Sequence, residues 1–192
     1  MPDVILEVIL PEKATIEEVN GLDREEFVSR FGALYERSPW VAEAAWRERP
    51  FAGLAELHEA FVKAMREAPR ERQLTLIRAH PDLAGRAAIA GELTADSARE
   101  QASAGLDRLT PEEYEDFHRL NSAYRDKFGF PFVVCVREHG KETILADAAA
   151  RLGHSRAEEV ETALGEIAKI AGLRLGDLVA GAESAEGAEG AP

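Results

Sequence analysis

Apolar residues recur along most of this chain at three- and four-residue intervals, the repeat of a single helix face. Val160, Leu164, Ile167 and Ile170 show it most plainly, and Leu120, Tyr124 and Phe128 repeat it upstream. Polar signals open these runs. Thr15 with Glu18 is a capping box, in which the hydroxyl takes one orphan N–H and the carboxylate takes another. Thr110 with Pro111 and Glu113, and Ser155 with Glu158, repeat the pattern, and Asp23 with Glu26 is a looser version. Ser38 before Pro39 predicts a further start, because a proline at the first helical position gives up no hydrogen bond. Only "VILEVIL" (4–10) and "FVVCV" (132–136) read as β-rich, too little for a sheet. The pattern predicts an all-α fold: one compact domain over residues 1–180, of roughly eight helices joined by short loops. The end, "GAESAEGAEGAP" (181–192), has no bulky apolar side chain to offset its ordering entropy and is expected to be a disordered tail.

Composition narrows the function classes. At 192 residues the chain can bury a sizeable single core. Its 36 acidic residues against 23 basic give a net charge of -13, a poor surface for gripping nucleic-acid phosphates. No apolar run approaches the roughly 20 residues of a membrane span, and the opening segment has no basic stretch of the kind that begins a signal peptide. The single cysteine, Cys135, excludes an internal disulfide framework and fits a cytoplasmic setting. His58, His118, His139 and His154 are scattered, and no metalloprotease, serine-hydrolase or phosphate-loop motif is present. No metal site is expected.

Three stretches interrupt the helical rhythm. In "IRAHPDLAG" (77–85), His80 stands at a break between elements. It reads as a helix-ending residue before a helix-starting Pro81, with Asp82 favoured by the dipole, or alternatively as an acid–base group held at an exposed joint. In "LTADSAREQASAGLD" (93–107), Ser97 and Glu100 have the spacing of another capping box. The same helix start can instead offer N–H groups to an anion, with Glu100 and Gln101 adding polar contacts. In "KFGFPFVVCVR" (127–137), Gly129 and Pro131 stop helix continuation and force an extended backbone, whose polar groups need partners that a ligand can supply.

Taken together, "SPWVAEAAW", "RPF", "LIRAHPDLAG", "LTADSAREQASAGLDRL", "TPEEYEDFHRLNSAYRDKFGFPFVVCVR" and "EIAKIAGLRLGDLV" closely resemble the OHCU decarboxylases over residues 5–180. These enzymes act on 2-oxo-4-hydroxy-4-carboxy-5-ureidoimidazoline in urate breakdown. The resemblance implies an all-α homodimer that needs no cofactor and releases (S)-allantoin. It implies that His80 is the catalytic histidine and Glu100 an essential carboxylate. It also implies that Pro81, Ser97, Ala98, Arg99, Glu100 and Gln101, the segment Phe132, Val133, Val134, Cys135 and Val136, and Arg174 hold the substrate. The absence of a cofactor motif fits such chemistry, since a ring C=N bond beside the carboxylate-bearing carbon is its own electron sink. Two rivals stay open on the residues alone: a helical hydrolase of a related ureide, and a non-catalytic interaction module in which His80 and Glu100 are only joint and cap.

Overall fold

In the computed structural model, which describes residues 13–85 and 91–181, the chain folds into helices with no strand among those residues. Segment 4–10 and residues 182–192 of the expected tail lie outside the described residues. The helices are α1 (Ile16–Gly21), α2 (Arg24–Phe31), α3 (Trp40–Ala45), α4 (Leu54–Glu67), α5 (Arg70–Ala79), α6 (Ala95–Ser103), α7 (Pro111–Phe128), α8 (Lys141–Arg151) and α9 (Arg156–Leu178). Short 3₁₀ turns follow α3 (Trp46–Glu48) and precede α8 (Val136–Glu138).

Capping chemistry explains where most of these begin. Thr15, Asp23, Thr110 and Ser155 each close a reciprocal box with Glu18, Glu26, Glu113 and Glu158. Two starts differ from the sequence reading. Pro39, already in helical conformation, occupies the cap of α3 with no side-chain cap, and the Val41 N–H closes a tighter turn on the Ser38 carbonyl. Helix α6 begins earlier than Ser97 implies. Thr94 is its cap and Ser97 sits in the first turn, donating its N–H to the Thr94 hydroxyl. Glu100 is therefore a mid-helix residue and not the far end of a capping box.

Helix α9 is the organising element. Its buried positions Val160, Ala163, Leu164, Ile167, Ile170, Ala171 and Leu175 form one continuous stripe, against which α4, α5 and α7 pack. On one side lies an aromatic cluster of Phe27, Phe31, Tyr35, Phe51 and Phe61. On the other, Tyr124, Phe128, Phe130 and Phe132 form a second.

Two charged residues share the α9 stripe. Glu159, fully buried, takes a bidentate contact from Arg151 at 2.5 and 3.3 Å and a further bond from His154 Nδ1 at 2.9 Å. The Arg151 guanidinium lies 4.5 Å above the Phe132 ring, so this ion pair braces the extended segment from behind. Removing one partner strands a buried charge, which typically costs about 3–5 kcal/mol. Glu159→Ala is therefore expected to lower unfolding stability by about that much, while the exposed Glu142→Ala stays within about 0.5 kcal/mol of wild type; urea midpoints on both variants check it.

Candidate active site

Helix α5 ends at His80, whose backbone is extended (φ -70°, ψ 139°). The next helix does not start at Pro81. Residues 81–85 form a turn instead, in which Ala84 takes a left-handed φ of 50°. Such a turn needs external support, and three neighbours give it at consecutive residues. Arg125 from α7 binds the Asp82 carboxylate at 3.0 Å. Asn121 donates to the Leu83 carbonyl at 2.9 Å. The Ala84 N–H donates to Gln101 Oε1 at 3.1 Å. Asp82 thus serves as an anchor for α7 and not as a helix-start acid.

The imidazole is oriented by its own helix. His80 Nδ1 lies 3.0 Å from the Leu76 carbonyl, which can only accept, so Nδ1 carries the proton and Nε2 is left as the acceptor. Among the described residues nothing bonds Nε2. Burial pushes the imidazole below its ordinary value; the Leu76 carbonyl and the Glu36 charge pull it back up, and Arg174 adds to the lowering. The ring is thus held neutral, the form that can accept a proton.

Glu100 makes no hydrogen bond to His80. It binds Arg174 instead, with Oε1 and Oε2 each 2.8 Å from a guanidinium nitrogen. Arg174 lies on the buried stripe of α9, 5% exposed, and also donates to Ser97 Oγ and the Leu34 carbonyl, both at 3.3 Å. A second carboxylate, Glu36, is drawn into the group. It accepts from the Ser97 hydroxyl at 2.6 Å and lies 3.5 Å from Arg174.

His80, Ser97, Glu100 and Arg174 line one cleft. His80, Pro81 and Leu83 form one wall, and Ser97, Glu100 and Gln101 another. Phe132, Val133, Val134, Val136, Ile170 and Arg174 complete it. A small apolar cleft with a few convergent polar groups is the usual form of a small-molecule site. Thirteen residues expected from the sequence divide cleanly: ten line the cleft, and Ala98, Arg99 and Cys135 do not. The reason is periodicity. Ser97, Glu100 and Gln101 share one face of α6 at i, i+3 and i+4, so Ala98 and Arg99 turn to solvent. Arg99 pairs with Asp96 on that outer face. In the extended segment the Cys135 N–H turns to Glu166 at 2.8 Å, and burial pushes its thiol up to about 11, a poor nucleophile.

Glu36 and Asn121 escaped the sequence reading. Their partners lie 61 and 38 residues away, beyond the reach of any local spacing rule.

Comparison with known proteins points one way. The sequence model of the OHCU decarboxylase family matches residues 20–176. A 2-oxo-4-hydroxy-4-carboxy-5-ureidoimidazoline decarboxylase of Halalkalicoccus jeotgali is 47% identical over 166 residues, covering 86% of this chain and 92% of the relative. The protein of the same name from Haloferax volcanii is 48% identical over 163 residues, covering 85% and 95%. Among solved structures, an (S)-allantoin synthase superposes with a TM-score of 0.70 at 30% identity, over 86% of this chain and 54% of that one. The chain thus spans about half the length of that solved protein.

The depressed imidazole has a consequence for stability. As pH falls, the unfolded chain protonates its histidine near the ordinary value of about 6.5 while the folded ring resists. Stability from this group is complete above that value and is lost as pH falls through it towards the folded-state value. His80→Asn is therefore expected to lose less melting temperature than wild type between about pH 7.5 and 5.5. Parallel slopes for the two proteins would show that the ring is not buried as described.

Proposed function

The chain belongs to the OHCU decarboxylase family, and from that membership we propose that it converts 2-oxo-4-hydroxy-4-carboxy-5-ureidoimidazoline to (S)-allantoin and carbon dioxide. The observation that carries this reading is an imidazole whose Nε2 has no partner among the described residues, lining the same cleft as the Glu100–Arg174 pair.

The substrate has a hydroxyl and a carboxylate on one ring carbon and a C=N bond at the next. When the carbon–carboxylate bond breaks, its electron pair moves towards that C=N bond and carbon dioxide leaves. The ring nitrogen gains a proton and an enol results. Loss of the hydroxyl proton and protonation of the adjacent ring carbon then give the amide carbonyl of allantoin. The substrate is its own electron sink, so the protein is left with positioning and proton handling.

In this reading His80 Nε2 takes the hydroxyl proton and returns one to the ring carbon from a single face, which fixes the (S) product. The Leu76 bond keeps the tautomer that this requires. Glu100 accepts N–H bonds from the ureido group, and Arg174 holds its carboxylate in place. That arrangement favours Glu100 as a substrate partner over a role in orienting His80, to which it makes no bond. Ser97 and Gln101 shape the polar wall beside Glu100, and Pro81 belongs to the histidine wall. Phe132, Val133, Val134 and Val136 supply an apolar wall and backbone groups for the ring amide. General acid–base catalysis typically contributes about 10²–10⁴-fold, and orientation in a water-poor cleft supplies the rest.

The test generates the substrate in place from urate with an oxidase and a hydroxyisourate hydrolase, and follows carbon dioxide and (S)-allantoin together. Wild type is expected to accelerate both. Release of a hydrolysis product without carbon dioxide would point to a ureide hydrolase, and no acceleration to an interaction module. His80→Asn should abolish the acceleration while its helical circular dichroism is retained. Glu100→Gln should lower turnover by about 10²-fold, as a charged hydrogen bond in a desolvated site is lost. Near-normal turnover in Glu100→Gln would sink its assignment as a substrate partner.

A further inference from the structure

Glu36 lies in the loop between α2 and α3, only 4% exposed, and does not line the cleft. A carboxylate is rarely buried so far without a full counter-charge, because desolvation costs several kcal/mol. Its partners are the Ser97 hydroxyl at 2.6 Å, the Thr94 hydroxyl at 3.3 Å and, less closely, Arg174 at 3.5 Å. The Arg174 charge is already engaged by Glu100 through two bonds of 2.8 Å. Two carboxylates therefore share one guanidinium, which leaves a net charge of about −1 behind the α6 wall. Hydroxyl dipoles lie closer to it than the one cation does.

We propose that Glu36 is a positioning residue for proton transfer at His80: it fixes Arg174 and Ser97, and its charge stabilises the imidazolium that forms when Nε2 accepts a proton. A site that neutralised every carboxylate would leave a transient cation in an apolar cleft with nothing opposite it. The remaining charges around the ring do not meet the need. Glu100 is neutralised by Arg174, and Arg174 itself repels an imidazolium. Asp82, on the histidine's own loop, is bound by Arg125. The 132–136 segment presents no charged side chain to the cleft. Among these groups Glu36 is the one whose charge opposes the effect of burial on His80.

The proposal rests on the decarboxylase reading for its catalytic meaning, but its physical core can be measured without substrate. The titration of the His80 imidazole is followed by NMR in the full chain, with His80→Asn assigning the signal. Glu36→Gln keeps an acceptor for Ser97 and removes the charge; the titration is expected to move to lower pH. Glu36→Asp retains the charge and is expected to restore most of the wild-type position. Ser97→Ala removes a hydroxyl donor that stabilises the Glu36 charge and is expected to move the titration the same way as Glu36→Gln; this arm serves if Glu36→Gln does not fold. In turnover, Glu36→Gln should lower kcat by about tenfold or more and carry the acid limb of kcat/KM to lower pH, with KM little changed. A His80 titration that superimposes in wild type and folded Glu36→Gln, or that does not move in Ser97→Ala, would overturn the proposal. A wild-type chain that does not decarboxylate would instead overturn the functional reading, and the NMR result would still decide whether Glu36 acts on the imidazole.

Discussion

The site depends on one buried guanidinium. Arg174 sits near the C-terminal end of the apolar stripe of α9, and it must be satisfied there or the fold carries a stranded charge. Its partners come from two separate parts of the chain: Glu100 and Ser97 from α6, Leu34 and Glu36 from the loop after α2. Satisfying Arg174 therefore fixes where α6 lies against α9 and how deeply the α2–α3 loop enters. An ion pair of this kind is weak support for stability, since apolar replacements of buried pairs often do as well. Its cost is more readily understood as the cost of a polar wall placed at a set distance from His80.

The opposite wall is built by different means. Gly129, left-handed at φ 76°, ends α7 with its N–H on the Arg125 carbonyl, and Pro131 keeps the following backbone extended. The chain from Pro131 to Cys135 then runs without a strand partner, and holds its course through side chains. Phe132 is clasped between Tyr124 and Arg151, and the Cys135 N–H is tied to Glu166. The histidine loop between the walls is pinned at residues 82, 83 and 84 by α7 and α6. Every lining element is thus held by a bond to a neighbour within the same domain, so geometry at the cleft is inherited from helix packing.

Much of this could be read from the sequence because it is local. A capping box joins residues three apart, and a helix stripe joins residues three and four apart, so the all-α fold and the starts at Thr15, Asp23, Thr110 and Ser155 were accessible. Ser97 and Glu100 show where locality misleads. Their spacing suits a box, but Thr94 three residues earlier is an equal cap candidate, and the demand of Arg174 for a carboxylate, 74 residues distant, decides how Glu100 is used. Pro81 misleads in the same way, as Asp82 is claimed by Arg125 before it can begin a helix. Arg174 was legible only through the family resemblance, as no spacing rule singles it out. Glu36 was not, for nothing near it in sequence reports that it is buried.

On the proposed reaction, His80 faces two conflicting demands. To accept a proton it must be neutral at working pH, which the apolar cleft ensures by penalising the charged ring. To hold that proton for the next step, the charged ring must be tolerable. A single environment cannot meet both by burial alone, since more burial makes the base weaker and the imidazolium less stable together. The fold separates the two tasks. Phe132, Val133 and Val136 exclude water from one side, and the Leu76 carbonyl fixes which nitrogen reacts. A carboxylate behind the polar wall, left uncompensated by the only guanidinium within its reach among the described residues, offsets the penalty from the other side. This division accounts for a feature that stability alone would disfavour: two glutamates, one of them buried, around one arginine.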